Sequence, residues 1–542
     1  MTSLSVTPTP QLRPTRSWWL PERLRGRALV DWAALPGGWF LPALVALSTL
    51  LRFPGLLAPP SPDEAGFLLV ARTWSPTADN MYGAYWVDRP PVLIAAYRVA
   101  DDVAGAAGPR LLAALLAGVL LVAVHELGRR LAGVSAGRVA AVVAAALLAD
   151  PDLSAWTAKG EVLGAPLVAL SCLAAAAAVH TVSSRRQDLL ASAAGTTAVL
   201  AFGVKQNLLG GFVFGAVLLG GSLLTRQVGG GRAVRLAGRF ALGAALPVGV
   251  VVTWVVLSPA HLDSAWYQVF GFRADASQVL RASDSTAPAE RAAGLWRLFV
   301  WSGMAALLVV AAVTARRWLP RVGPAGAALA AMTLVDAFGV AAGGSYWHAY
   351  LIPLVPDLAL AAGFAYAVGA PQRLAATVAL VAVMVSSTHA LVGFTHDRLA
   401  DDRAVTAWDT GRAISEVARP GDTITSLYGS ADVVLASGLS SPYEHLWTLP
   451  MRTLDPRLDR LREVLSGPRA PTWLVVVLPI NSWHLDENRQ LRDLVSRRYV
   501  LVPQDCGPMI WLRRTATFRA RPALPCPPPS AQVVALRPSV PV

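Results

Sequence analysis

Pro62-Asp63-Glu64, followed by Tyr85-Trp86-Val87-Asp88-Arg89-Pro90-Pro91-Val92, is the stretch on which the reading of this chain turns. Both acidic clusters lie between two apolar runs, 38–57 and 109–127, in a sequence made mostly of membrane-helix material. A carboxylate left beside lipid costs about 3 kcal/mol on insertion scales unless it faces water, a partner or a ligand. Two such clusters in one connection therefore mark a candidate site.

The composition sets the context. The chain has 542 residues, 54% hydrophobic and 15% charged, where a soluble protein carries roughly a quarter charged residues. A polytopic α-helical membrane protein follows. The net charge of +13 suggests nucleic acid at first sight. The arginines, however, cluster in short gaps between apolar runs, which is the positive-inside pattern of cytoplasmic loops, so nucleic acid is excluded as a partner. Of the 47 basic residues only Lys159 and Lys205 are lysine, the other 45 being arginine.

Further apolar runs at 135–150, 162–180, 188–204, 208–224, 237–257, 295–314, 323–342, 350–369 and 374–394 bring the expected transmembrane helices to about eleven. Gaps holding Arg129-Arg130, Arg185-Arg186, Arg226 to Arg239, Arg316-Arg317-Arg321 and Arg373 share a side with the basic arm 1–36. The reading is a multi-pass cytoplasmic-membrane protein with its N-terminus inside and its C-terminus outside. The outer segments are then 58–108, 150–161, 205–207, 258–294, 343–349 and everything past about 395. Residues 90–106 suit an amphipathic helix on the outer leaflet, and 258–294 a lid-like loop. Residues 395–520 alternate between strand and helix patterns and form a small α/β domain; 521–542 read as a disordered Pro-rich tail. Outside the cytoplasm a disulfide between Cys506 and Cys526 is permitted, while Cys172 is a core residue.

The motif order resembles a known family. Arg52-Phe53, Pro62-Asp63-Glu64, the aromatic–acidic–basic–Pro-Pro stretch, Gly108-Pro109-Arg110-Leu111, Leu127-Gly128-Arg129-Arg130-Leu131-Ala132-Gly133, Lys159-Gly160-Glu161, Gly203-Val204-Lys205 and Trp347 to Pro356 are similar to those of GT-C-fold glycosyltransferases related to protein O-mannosyltransferases and lipid A aminoarabinose transferases. The resemblance covers 38–225 well and 340–370 adequately. It departs at Ala65, Gly66 and Phe67, where aminoarabinose-type members often carry an arginine, and at Arg89, where lysine is common.

The resemblance implies transfer of a hexosyl or pentosyl unit from a polyprenyl-phosphate sugar to a hydroxyl of a cell-envelope acceptor, protein, glycan or lipid. Asp63 is then the general base, a role open to a carboxylate in a partly desolvated loop; the competing reading is a helix cap. Asp88 orients the acceptor or binds a divalent metal cation with His261, or merely pairs with Arg89. Glu64, Tyr85, Arg89, Lys159, Glu161, Lys205, His348 and Tyr350 are candidate substrate-binding residues, against a Glu64 that only supports Asp63 or caps the helix, a Glu161 paired with Lys159, snorkelling lysines and an aromatic belt at the membrane interface. The rival functions are a lipid or sugar transporter and a non-catalytic envelope scaffold. A transporter would gather its polar residues at the bilayer midplane in repeat symmetry, whereas here they collect at one face.

Overall fold

The computed structural model describes residues 37–282, 286–399, 405–516 and 519–526. The basic arm 1–36 and residues 527–542 of the Pro-rich tail lie outside the described residues.

Each of the eleven apolar runs coincides with helix. Among the described residues eight helices are long and apolar enough to cross a membrane, or nine if a bent pair counts as one span. That pair is Ala287–Trp301 and Met304–Val322, angled by 64°. Its break falls at Gly303, whose φ of +81° only glycine takes without strain. A Cβ there would also sit 2.7 Å from Val383 Cγ2. The remaining two runs form the shorter helices Val134–Ala149 and Gly210–Leu224, so the expected count of eleven includes two helices below full spanning length.

Chain order places the arginine-rich connections at helix ends opposite the Lys159, Lys205 and Ser345–Tyr350 connections. The expected amphipathic helix is present as Pro91–Ala104, with Leu93, Ile94, Tyr97 and Ala100 buried.

The segment 258–294 is not an open loop. It folds as Leu262–Trp266, a π-helical turn Tyr267–Gly271 and Phe272–Arg281, before the Ala287–Trp301 helix begins. Phe272 and Ala276 are one helical turn apart and fully buried, and Phe272 packs edge-on against Trp86 with centroids 4.6 Å apart. Burial of one face, rather than turn chemistry, makes the segment helical.

The C-terminal α/β domain carries a four-stranded sheet in the order β1 (Ile424–Leu427), β2 (Trp473–Val476), β4 (Met509–Arg513), β3 (Tyr499–Val502). The β1–β2 pair is parallel and the others antiparallel. Every residue of β1 and β2 is buried, which explains the unbroken apolar run at 473–476. Cys506 and Cys526 form a disulfide. The domain is joined to the first connection by backbone pairing: Trp86 N–H donates to the Glu444 carbonyl at 3.1 Å, and Trp86 bridges His445 in parallel.

Candidate active site

Ser61, not Asp63, caps the helix Pro62–Arg72. Its hydroxyl accepts from Glu64 N–H at 3.4 Å, and the Glu64 carboxylate accepts from Ser61 N–H at 2.8 Å, a reciprocal capping box with proline at the first position. Asp63, one residue earlier, is thereby left with its side chain 38% exposed. Its Oδ1 accepts from Trp447 Nε1 at 3.0 Å, and its Oδ2 lies 3.7 Å from Lys159 Nζ.

Of the two parts open to Glu64, the structure shows the helix cap. It does not line the cavity that Asp63 lines. Its buried carboxylate receives Arg110 Nε at 2.8 Å, Arg110 Nη2 at 2.6 Å and Ala158 N–H at 2.8 Å. Burial pushes the Glu64 carboxyl up, but Arg110 and these donors outweigh it and hold it below the usual range. Arg110 also donates to the carbonyls of Gly55, Ala58 and Pro59, pinning the end of the first membrane helix to the cap.

Asp88 sits between two guanidinium groups, Arg89 Nη1 at 2.6 Å and Arg273 Nη2 at 2.5 Å. Burial raises its carboxyl, and Arg273 with Arg89 more than reverse this, holding it below the usual carboxylate range. Gln206 donates to the Asp88 carbonyl at 3.1 Å and to that of Val269 at 2.9 Å, tying the 205–207 turn to both neighbouring segments. Lys205 pairs with Glu161 and lies 4.4 Å from the Tyr350 ring centre. Its burial brings the ammonium down to about 8 despite the nearby carboxylate.

Asp63, Asp88, Arg89, Lys159, Glu161, Lys205 and Tyr350 all line one cavity of about 430 Å³. The remaining expected residues do not. Tyr85 is buried and its hydroxyl accepts from Ser441 N–H at 2.9 Å, so it docks the C-terminal domain. His348 Nδ1 is held 3.0 Å from the Asp152 carbonyl. His261 is exposed at the start of the Leu262–Trp266 helix, off the cavity.

The carboxylates of this cavity are engaged by cationic side chains. The Asp88 carboxylate is taken up by two arginines, Glu161 by Lys205, and among the described residues no three His, Cys, Asp or Glu side chains group as metal ligands. The Asp88–His261 pair expected for a metal is therefore not assembled here.

Several cavity residues have no signal in the local sequence. Arg273 and Arg291 arrive from the refolded 258–294 region, and Trp447, Arg452 and Trp483 from the C-terminal domain. A basic residue on an amphipathic helix beside a long connection was the one available hint, and it applies to Arg273 alone.

No protein-family profile matches the chain, and neither does any curated protein sequence. Among solved structures it is similar to ArnT from Cupriavidus metallidurans. The apo form is 16% identical with a TM-score of 0.54, covering 88% of this chain and 97% of that one. The form bound to undecaprenyl phosphate is 15% identical with a TM-score of 0.55, covering 88% and 98%. The archaeal oligosaccharyltransferase AglB from Archaeoglobus fulgidus superposes at a TM-score of 0.48, with 11% identity over 88% of this chain and 74% of that one. The fold is thus GT-C, in a multi-pass membrane protein with a small C-terminal sheet domain.

Proposed function

We propose that the chain is a membrane glycosyltransferase that moves a hexosyl or pentosyl unit from a polyprenyl-phosphate carrier to a hydroxyl of a cell-envelope acceptor on the outer face of the cytoplasmic membrane. The observation that carries this is the convergence of Asp63 with Asp88, Arg89, Lys159, Lys205 and Arg273 on one cavity. That set supplies a base and a cationic cradle and nothing resembling a midplane transport site. ArnT, which shares the fold, has been solved with undecaprenyl phosphate bound, and a carrier of that kind suits this cradle.

In the reaction the acceptor oxygen attacks the anomeric carbon while the bond from that carbon to the phosphate oxygen breaks. The electron pair leaves with the phosphate, and Asp63 takes the acceptor proton. Single displacement inverts the anomeric centre. Arg89 and Arg273 meet the departing phosphate as planar forks and Lys205 as a point charge. Asp88 holds the two guanidinium groups at their mutual spacing, so its work is positioning. Charge building on the phosphate is stabilised in a partly buried site, where fixed donors act more strongly than in water.

The Cys506–Cys526 disulfide supports an outer location for the C-terminal domain, since such bonds persist in oxidising compartments. The arginine-rich connections at the opposite helix ends support the same orientation.

The test is transfer from synthetic polyprenyl-phosphate sugars to envelope acceptors by wild type and Asp63→Asn. Loss of transfer at least about a hundredfold with donor binding retained is expected for a missing base. Unchanged transfer in Asp63→Asn, or lipid flipping that survives it without any transfer, sinks the assignment.

A further inference from the structure

Six cationic side chains line the cavity (Arg89, Lys159, Lys205, Arg273, Arg291 and Arg452) against three carboxylates, Asp63, Asp88 and Glu161. The carboxylates account for four of the cations: Lys159 stands beside Asp63, Arg89 and Arg273 flank Asp88, and Lys205 pairs with Glu161. Arg291 and Arg452 are left over. Among the described residues neither has a carboxylate partner within ion-pair distance.

Both are nevertheless held in place. Arg291 Nε donates to the Ser345 carbonyl at 2.7 Å, and its guanidinium lies 4.9 Å from the Trp347 ring centre. Arg452 lies 5.2 Å from the Trp483 ring centre. Burial and the charge of Arg291 both hold the Arg452 guanidinium below its ordinary value. Two half-buried like charges near one another, each fixed by an aromatic face, are unfavourable until an anion joins them. A polyprenyl-phosphate sugar is a phosphodiester with one negative charge. Even the leaving monophosphate, with up to two, does not use the whole cationic surplus. Trp347, Trp447 and Trp483 line the same cavity and offer flat apolar faces on which sugar rings stack.

We infer that Arg291 and Arg452, with Trp347 and Trp483, form an acceptor subsite for a saccharide bearing an anionic group, a carboxylate or a phosphate, next to the hydroxyl that receives the sugar. This rests on the glycosyl-transfer reading for the word acceptor, though not for the presence of the anion site. It also assigns a division of labour: one cationic group for the carrier phosphate, drawn from the connections that hold Arg89, Lys205 and Arg273, and another shared between the Ala287–Trp301 helix and the C-terminal domain.

The test uses the purified full-length protein in detergent with four probes: glucuronate, glucose 6-phosphate, neutral glucuronamide, and undecaprenyl phosphate. The two acidic sugars should bind at least about tenfold more tightly than glucuronamide, the scale of a charge-assisted hydrogen bond, and whichever binds better distinguishes carboxylate from phosphate. Arg452→Gln should erase that preference, Arg452→Lys should keep most of it, and undecaprenyl phosphate should bind all of them equally. Arg291→Gln repeats the test should Arg452→Gln fail to fold. Equal binding of acidic and neutral sugars overturns the inference. So does an Arg452→Gln protein that loses undecaprenyl phosphate as fully as acidic sugars, because Arg452 would then belong to the carrier grip. A wild type that prefers acidic sugars yet binds no undecaprenyl phosphate instead overturns the donor reading and leaves the anion site standing.

Discussion

Trp447 Nε1 and Asp63 Oδ1 are 3.0 Å apart, although 384 residues separate them in the chain. The indole comes from the C-terminal domain and the carboxylate from the first helix after the first membrane span. One hydrogen bond thus fixes one oxygen of the proposed base and leaves the other facing Lys159.

That bond is the first thing to break. Trp447→Phe removes the N–H while keeping a ring against Phe67, whose centroid is 5.5 Å away. A hydrogen bond to a charged group contributes about 1.5–3 kcal/mol, so the transfer rate should fall about tenfold or more. Steady-state kinetics should show the fall in kcat with the KM for donor unchanged; an equal loss in donor affinity would count against a positioning role.

Gly66 sets how closely the indole approaches. A Cβ there would lie 2.2 Å from Trp447 Cζ2, a contact that must force the ring aside. Gly66→Ala should lower stability by roughly 1–3 kcal/mol, as overpacking does, and reduce transfer. Because phenylalanine lacks the six-membered indole ring that clashes, Gly66→Ala combined with Trp447→Phe should melt higher than Gly66→Ala alone. Thermal melting in detergent measures both.

Breaking the Glu64–Arg110 pair tests stability apart from chemistry. Glu64→Gln leaves a buried guanidinium without its counter-charge and should cost about 3–5 kcal/mol, while the folded fraction binds donor normally. The sign with pH follows from a carboxyl held below its ordinary 4.5. Its stabilisation is complete above 4.5 and is lost as pH falls through the depressed value. The gap between wild type and Glu64→Gln should therefore close in acid, as unfolding curves at a series of pH values would record.

Lys205 gives the alkaline counterpart. Its ammonium titrates at about 8 in the folded protein, and only the charged form attracts a phosphate. Binding of undecaprenyl phosphate should weaken as pH rises through about 8, modestly, because the bound anion itself favours the proton. Lys205→Arg, which stays charged, should bind with no such inflection. A wild-type affinity flat from pH 7 to about 9 would remove Lys205 from the phosphate site.

Much of this was legible in one dimension. Apolar runs mark helices because burial in lipid demands about 20 residues of them, and the strand at 473–476 shows itself by having no polar face. Asp63, Asp88, Arg89, Lys159 and Lys205 stood out because charge beside lipid needs a reason. Glu64 stayed open between two readings because a capping carboxylate and a ligand-binding one look alike until Arg110 is seen to fill it. Trp447, Arg291 and Arg452 had no signal at all. Their meaning comes from contacts across hundreds of residues, which no local periodicity encodes, and an arginine in an arginine-rich chain draws no notice.

The parallel bridge between Trp86 and His445 has a practical corollary. Shortening the gene to isolate the helical bundle would not strip off a passenger. It would unroof the cavity that holds Asp63, expose the bare edge of the first extramembrane segment to solvent, and leave a product in which the proposed transfer could not be judged.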